Sequence, residues 1–253
     1  MTATVPSGPR VLFAGAMLHA EVHHPEAEVL FVTFDRWRRD RVGFADWQPS
    51  RTVAGYGFAE LIIKTAHNDW YLNRELDGLM RVLKDFTKPY RTVRSFAFSM
   101  GGFAALLFSR PLRLRNAVLV SPQWSPFPKA APFDTRYRAE TRDLQAEHGD
   151  LARHVSTRLR GVVLYDPQVV VDKWHARLIE EQAPKLYAVA MPLAGHPATQ
   201  VMLETPVYGK LRDLAFMGKS EVALYHALHV EARRLSPLYG QRLRERLAAR
   251  AAR

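Results

Sequence analysis

The chain has 253 residues, is 47% hydrophobic and contains no cysteine. Disulfide scaffolds and thiolate chemistry are thereby excluded, and the length suits one α/β domain, residues 1–253, with a full core. Net charge is +11, yet no stretch approaches the ~18 uninterrupted apolar residues of a membrane-spanning helix.

The first apolar stretch, Val11 to Leu18, runs into His19, Glu21, His23 and His24 and reads as the start of a sheet rather than as a leader peptide. Together with the lack of cysteine, this fits a cytoplasmic location. The positive charge is uneven: residues 231–253 carry seven arginines against two glutamates. That basic C-terminal helix, with Leu235, Leu238, Leu243 and Leu247 along it, offers either a partner-docking face or a solvated, arginine-rich surface. No nucleic-acid motif accompanies the charge and the aromatics are not interleaved with it, which argues against nucleic acid as a partner.

In chain order, Arg10 to Ala16 reads as a strand and Glu28 to Phe34 as a second, with His23, His24 and Pro25 in the turn between them. Residues 35–50 are polar and aromatic without a clear period, a long loop at the second strand's end. Ala59 to Ala66, with Leu61-Ile62-Ile63, reads as a central strand, followed by the aromatic turn His67 to Tyr71. A helix is predicted over 74–86, with Leu76, Leu79, Met80 and Leu83 on one face. Ser95 to Phe98 leads as a strand into Ser99, and Phe103 to Phe108 reads as a buried helix. Asn116 to Ser121 is a further core strand. Residues 125–160, rich in proline and charge, read as a small cap insertion with a helix around 139–157. Gly161 to Tyr165 is a short strand, Asp172 to Gln182 a helix, and Leu186 to Leu193 the last strand. From about Thr199 the pattern is helical, broken at Pro206, Gly218 and Pro237. Alternation of strands and helices predicts a mostly parallel sheet covered on both faces, with reactive groups at the strands' C-terminal ends.

The chemistry-bearing signal is Phe98-Ser99-Met100-Gly101-Gly102. A serine squeezed between a strand and a helix by small residues is the nucleophile-elbow pattern, here with Ala97 where G-x-S-x-G has its first glycine. Asp166 and His196 fall at later strand ends, so Ser99, Asp166 and His196 follow the order nucleophile, acid, base. A hydroxyl needs a base to become nucleophilic, and the imidazole needs a carboxylate to fix its tautomer. Asp166 also suits a turn before Pro167. Asp172 is the alternative acid, although it suits a helix cap. The Met100 N–H would face the oxyanion, with a second donor from the loop near Phe34 or Asp35. Trp37, Trp70, Tyr71 and Trp124 follow strand ends and either line a substrate pocket or pack the loops.

These residues, with Tyr165-Asp166-Pro167 and Ala194-Gly195-His196-Pro197, make the chain resemble the α/β-hydrolase superfamily of the serine-nucleophile type. Val120-Ser121-Pro122-Gln123 and Pro132-Phe133-Asp134 are similar to stretches of bacterial serine-hydrolase-like proteins of poorly defined substrate. The resemblance implies an α/β-hydrolase-like sheet and a catalytic set of Ser99, Asp166 and His196. It also implies an esterase-like reaction on a small-molecule or glycan acyl substrate without a metal or other cofactor. An acyltransferase of the same fold is the close variant. A non-catalytic relative that binds a partner through its basic C-terminal helix is the alternative of another class.

Overall fold

The computed structural model describes residues 8–144 and 146–252. Eight strands form one sheet: β1 (Arg10–Ala14), β2 (Leu18–His23), β3 (Val29–Phe34), β4 (Ala59–Thr65), β5 (Thr92–Phe98), β6 (Asn116–Val120), β7 (Arg160–Tyr165) and β8 (Leu186–Ala190). Their order is β1-β2-β4-β3-β5-β6-β7-β8. The β1–β2 and β2–β4 pairs are antiparallel and all others parallel. This is the mostly parallel, helix-covered sheet that the alternating pattern predicts.

Alternation along the strands divides two cores. In β6, Ala117 and Leu119 enter one cluster while Val118 and Val120 enter the other, as the two-residue period requires. The first cluster takes α2 (Leu76–Phe86), through Leu76, Leu79 and Leu83, and all of α3 (Met100–Leu107). Every residue of α3 is buried, which explains its lack of a polar face. That side also carries α4 (Leu151–His154) and α5 (Val170–Gln182). The opposite side is covered by α6 (Gln200–Leu203), α7 (Val207–Met217), α8 (Val222–Leu235) and α9 (Pro237–Ala251). A short α1 (Arg51–Gly55) buries Val53 against Phe31 and Phe216.

Two expectations need correction. The first apolar stretch is a hairpin rather than one strand, because Leu18, Ala20 and Val22 alternate inward as β2 while His19, Glu21 and His23 face outward. Thus His23 lies on a strand, not in the turn. The described residues between β6 and β7 do not form one continuous helix over 139–157. They hold a 3-10 turn at Ala146–Gly149 and the four-residue α4. The break expected at Pro237 divides the basic tail into two helices: Ser236 Oγ accepts a bond from the Tyr239 N–H at 3.0 Å and Pro237 starts α9. Leu238 packs inward, while Leu235, Leu243 and Leu247 are exposed. Among the described residues, no helix is long and apolar enough to cross a membrane.

The β6–β7 contact depends on one residue. Gly161 has φ +148°, and a Cβ there would sit 1.8 Å from the Ala117 carbonyl oxygen of the paired strand. Gly161→Ala therefore combines backbone strain with overpacking and is expected to cost about 4 kcal/mol. A urea melt reads this as a lowered midpoint at unchanged slope.

Candidate active site

Ser99 stands alone between β5 and α3 with φ 49° and ψ −120°. The neighbours explain both the turn and the glycines after it. A Cβ on Gly101 would lie 2.9 Å from the Asp35 carbonyl oxygen, and one on Gly102 would lie 2.7 Å from Pro122 Cβ. The start of α3 is wedged between the ends of β3 and β6, so only glycine fits at either position. Ala97, where the usual pattern has glycine, is buried without disturbing the turn. A non-glycine residue at positive φ costs about 1–3 kcal/mol, and the Ser99 side chain makes no capping bond in return. The turn therefore holds Ser99 in a conformation that its own side chain does not stabilise.

Two consecutive residues tie the serine and the histidine to one place. The Ser99 N–H donates to the Val120 carbonyl at 2.9 Å. Next to it, Ser121 Oγ accepts the N–H of Ala198 at 3.1 Å, two residues beyond His196. The His196 loop is fixed further by Gln200 Nε2, which donates to the His196 carbonyl at 2.6 Å, and by Arg242 Nη1, which donates to the Leu193 carbonyl at 2.9 Å.

The carboxylate on His196 is Asp172, not Asp166. His196 Nδ1 lies 2.6 Å from Asp172 Oδ2, which leaves Nε2 as the nitrogen available for proton transfer. Asp172 is in the first turn of α5 and buried. Asp166, at the end of β7, folds back on the backbone. Its Oδ1 accepts from the N–H of Gln168 at 2.9 Å and of Leu193 at 3.2 Å, and its Oδ2 accepts from Gly195 at 2.7 Å. With both oxygens engaged by main chain, Asp166 shapes the loop that carries His196 instead of touching the ring.

Behind Asp172 lies a polar network that sequence reasoning missed. Asp172 Oδ1 accepts from Arg136 Nη1 at 3.1 Å, and Arg136 grips Asp134 through Nε at 2.9 Å and Nη2 at 2.8 Å. His175 Nε2 is 3.0 Å from the same Asp134 carboxylate. The Trp124 N–H donates to His175 Nδ1 at 3.1 Å, so Nδ1 is bare and the proton sits on Nε2. Burial favours this neutral ring by lowering its pKa. Burial alone would raise the Asp134 carboxyl, but hydrogen bonds from His175 and Arg136 overrule it and hold the group far below the usual carboxylate range. The available signal was the spacing of Asp172 and His175, three apart on one helix and hence on one face.

Arg136 is the cation between two carboxylates, Asp134 and Asp172. Arg136→Gln leaves them facing each other unneutralised, so the site takes up protons at higher pH. The acid limb of kcat/KM is expected to move upward by about one pH unit, and Arg136→Lys to restore it in part.

Tyr137, the next residue, stands beside Ser99. Burial raises the phenol's pKa most, the Arg136 charge opposes this, and a side-chain interaction with Ser99 also lowers it. Trp70 meets the Tyr137 ring edge-on at 5.0 Å and Trp37 meets it at 5.9 Å. The four aromatics expected at a pocket therefore have different places. Trp37 is half-buried against half-buried Tyr137. Trp70 is wholly buried and donates through Nε1 to Gln123 Oε1 at 2.7 Å. Tyr71 is also wholly buried. Its hydroxyl lies 3.2 Å from the carbonyls of Asp35 and Ile63, as part of the core rather than a pocket wall. Trp124 is buried and contributes its backbone N–H to His175.

The Met100 N–H opens α3, where no intrahelical acceptor exists for it, and it adjoins Ser99. Asp35 does not offer the second donor. Its N–H donates to the Ile63 carbonyl at 3.3 Å, and its carboxylate accepts from Arg41 at 2.9 Å and from the Thr65 N–H at 3.1 Å. The buried ion pair with Arg41 makes Asp35 a joint of the 35–50 loop. Phe34 ends β3 with its ring stacked on Phe108 at 6.1 Å. No cluster of three or more candidate metal ligands occurs among the described residues.

No protein-family model matches the sequence, and neither does any curated protein sequence. Solved structures do match in fold. The capsule O-acetyltransferase of Neisseria meningitidis serogroup A superposes with a TM-score of 0.54 at 12% identity, over 82% of this chain and 97% of that one. A mutant of the same protein in complex with CoA gives 0.51 at 12%, over 73% and 87%. Est1E from Butyrivibrio proteoclasticus gives 0.51 at 15%, over 84% and 100%.

Proposed function

For a chain with the α/β-hydrolase fold, we propose a serine-dependent esterase. Ser99 is its nucleophile, His196 its general base and Asp172 the carboxylate that orients the base. One observation carries the reading. A strained Ser99 and a His196 bonded to a buried carboxylate are fastened to the neighbouring residues Val120 and Ser121.

The chemistry follows from the groups present. Ser99 Oγ attacks the acyl carbon of an ester and passes its proton to His196 Nε2. The carbonyl oxygen becomes an oxyanion near the Met100 N–H. Collapse breaks the bond to the alcohol, which leaves with the proton from His196, and an acyl-Ser99 ester remains. Water then attacks, gives its proton to His196, and releases the carboxylic acid as Ser99 regains its hydrogen. Asp172 orients the ring and stabilises the transient imidazolium, and Arg136 keeps Asp172 in place. An alcohol or a sugar hydroxyl in the position of water makes the same intermediate an acyl donor. Trp37 and Tyr137 are suited to the walls of a site for a small acyl substrate.

A fluorophosphonate probe tests the proposal. Wild-type protein is expected to be labelled at Ser99, as mapped by peptide mass spectrometry, and p-nitrophenyl acetate should compete. Folded protein that takes up no probe would defeat the enzymatic reading. Added glycerol separates the two acceptors by the yield of acetylated alcohol against free acetate.

A further inference from the structure

One cleft of the molecule lies well away from Ser99. It lies at the opposite edge of the sheet and has a volume of about 560 Å³. Six of its lining residues are arginines: Arg91, Arg94, Arg110, Arg113, Arg115 and Arg158. Arg94 is near the start of β5, and Ser99 follows that strand's end. At about 3.3 Å per residue the two are roughly 17 Å apart, so the cleft is separate from the catalytic machinery.

The charge in this cleft is not neutralised from within. Its lining contains no aspartate or glutamate. Among the described residues only Arg91 has a carboxylate within 4 Å, Glu28 at 3.4 Å, and both of those side chains are well exposed at the rim. Elsewhere in the protein, Arg41 and Arg136 are matched to buried carboxylates. Like charges gathered without counter-charge raise the local potential and favour an incoming anion. Arg94 experiences this: burial lowers its pKa, and Arg91 lowers it further.

Several of these side chains are also held in place. Arg94 Nη1 donates to the Phe216 carbonyl, Arg110 Nε to Val155 at 3.1 Å, and Arg113 Nη1 to Lys88 at 2.8 Å. Each bond uses one donor and fixes the fork, leaving the other N–H groups of the same guanidinium for a ligand. The Nε of Arg94 is buried and has no partner among the described residues. Ser156 and Thr157 add hydroxyls to the same wall. Forked donors of this kind match tetrahedral oxyanions better than single carboxylates.

We propose that this cleft is a binding site for a compact polyanion carrying two or more phosphate groups. The site is independent of the esterase reading, since none of its residues belongs to the catalytic set. The number of arginines calls for more than one anionic group, and the volume of the cleft suits a ligand of oligophosphate size.

Titration calorimetry of the full chain with inorganic tripolyphosphate tests this, with orthophosphate as the single-phosphate comparison. Tripolyphosphate is expected to bind at least tenfold more tightly than orthophosphate. The double variant Arg115→Gln, Arg158→Gln changes two exposed side chains that make no hydrogen bonds among the described residues, and it should weaken tripolyphosphate binding at least tenfold. A control, Arg246→Gln with Arg250→Gln on α9, removes the same charge elsewhere and should stay within twofold of wild type. Equal loss in both variants would reduce the effect to net charge and overturn the proposal, as would no loss in the first. A single-stranded RNA that binds more tightly than tripolyphosphate through Arg115 and Arg158 would overturn the compact ligand in favour of a nucleic acid. Thermal melts of both variants without ligand verify that they are folded.

Discussion

Ser99→Ala is expected to reduce ester turnover by about a millionfold, the size seen when a serine nucleophile is removed from a triad, and to abolish labelling by a fluorophosphonate. The loss should come without unfolding. Position 99 keeps its φ of 49° in the variant, and the serine hydroxyl caps nothing at the start of α3. Alanine therefore inherits the strain and sacrifices no hydrogen bond of the turn. A second substitution separates chemistry from stability. Ser99→Gly relieves a positive φ that only glycine adopts freely, so it should raise stability by about 1 kcal/mol while being equally inactive. Opposite movement of stability and activity at one residue is expected for a functional site and not for a structural turn. Initial rates and urea melts on the two variants decide it. Turnover within about tenfold of wild type in Ser99→Ala would remove Ser99 from the mechanism.

How far the sequence could be read follows from the range over which each signal acts. The elbow was legible because its cause is local: a strand, one serine and two glycines in a row specify the turn, and Gly101 and Gly102 are required by contacts with Asp35 and Pro122 that any close-packed version of the turn would make. The hairpin of β1 and β2 was also within reach, since Leu18, Ala20 and Val22 alternate with His19, Glu21 and His23. The histidines drew that stretch toward a turn, although at an outward position of an edge-side strand they only need solvent or a partner such as Glu21.

The segment after β6 failed for another reason. Within the proline- and charge-rich stretch 125–160, a helix was expected around 139–157. The stretch just before it is ordered by attachment to distant groups: Asp134 to His175, Arg136 to Asp172, and Tyr137 to Trp37 and Trp70. Such contacts leave no periodic trace. The second oxyanion donor fails in the same way, because whether the Asp35 N–H is free depends on Ile63 in a neighbouring strand. Asp166 and Asp172 both lie just beyond β7, and only the fold shows that Asp172 is the one bonded to the His196 ring.

Two asparagine substitutions turn that last distinction into a measurement. On the proposed mechanism, Asp172→Asn is expected to lower kcat by about ten-thousandfold, as loss of the orienting carboxylate does in serine triads, with the fold retained. The amide is isosteric, but it supplies no charge for the imidazolium, and its NH2 group can impose the wrong tautomer on His196. It also leaves Arg136 with only Asp134 as counter-charge. Asp166→Asn should act in the opposite sense. Asp166 accepts three backbone N–H bonds from Gln168, Leu193 and Gly195, and an amide oxygen can replace only one of the two carboxylate oxygens. The other position then presents a donor to an N–H, and the loop that carries His196 loosens. The expected result is a loss of roughly 1–3 kcal/mol of stability with a much smaller fall in kcat. Should Asp166→Asn prove the more damaging to kcat at full occupancy of the folded state, the bond between His196 and Asp172 would not be the catalytic one. The assignment would then return to the residue at the strand end.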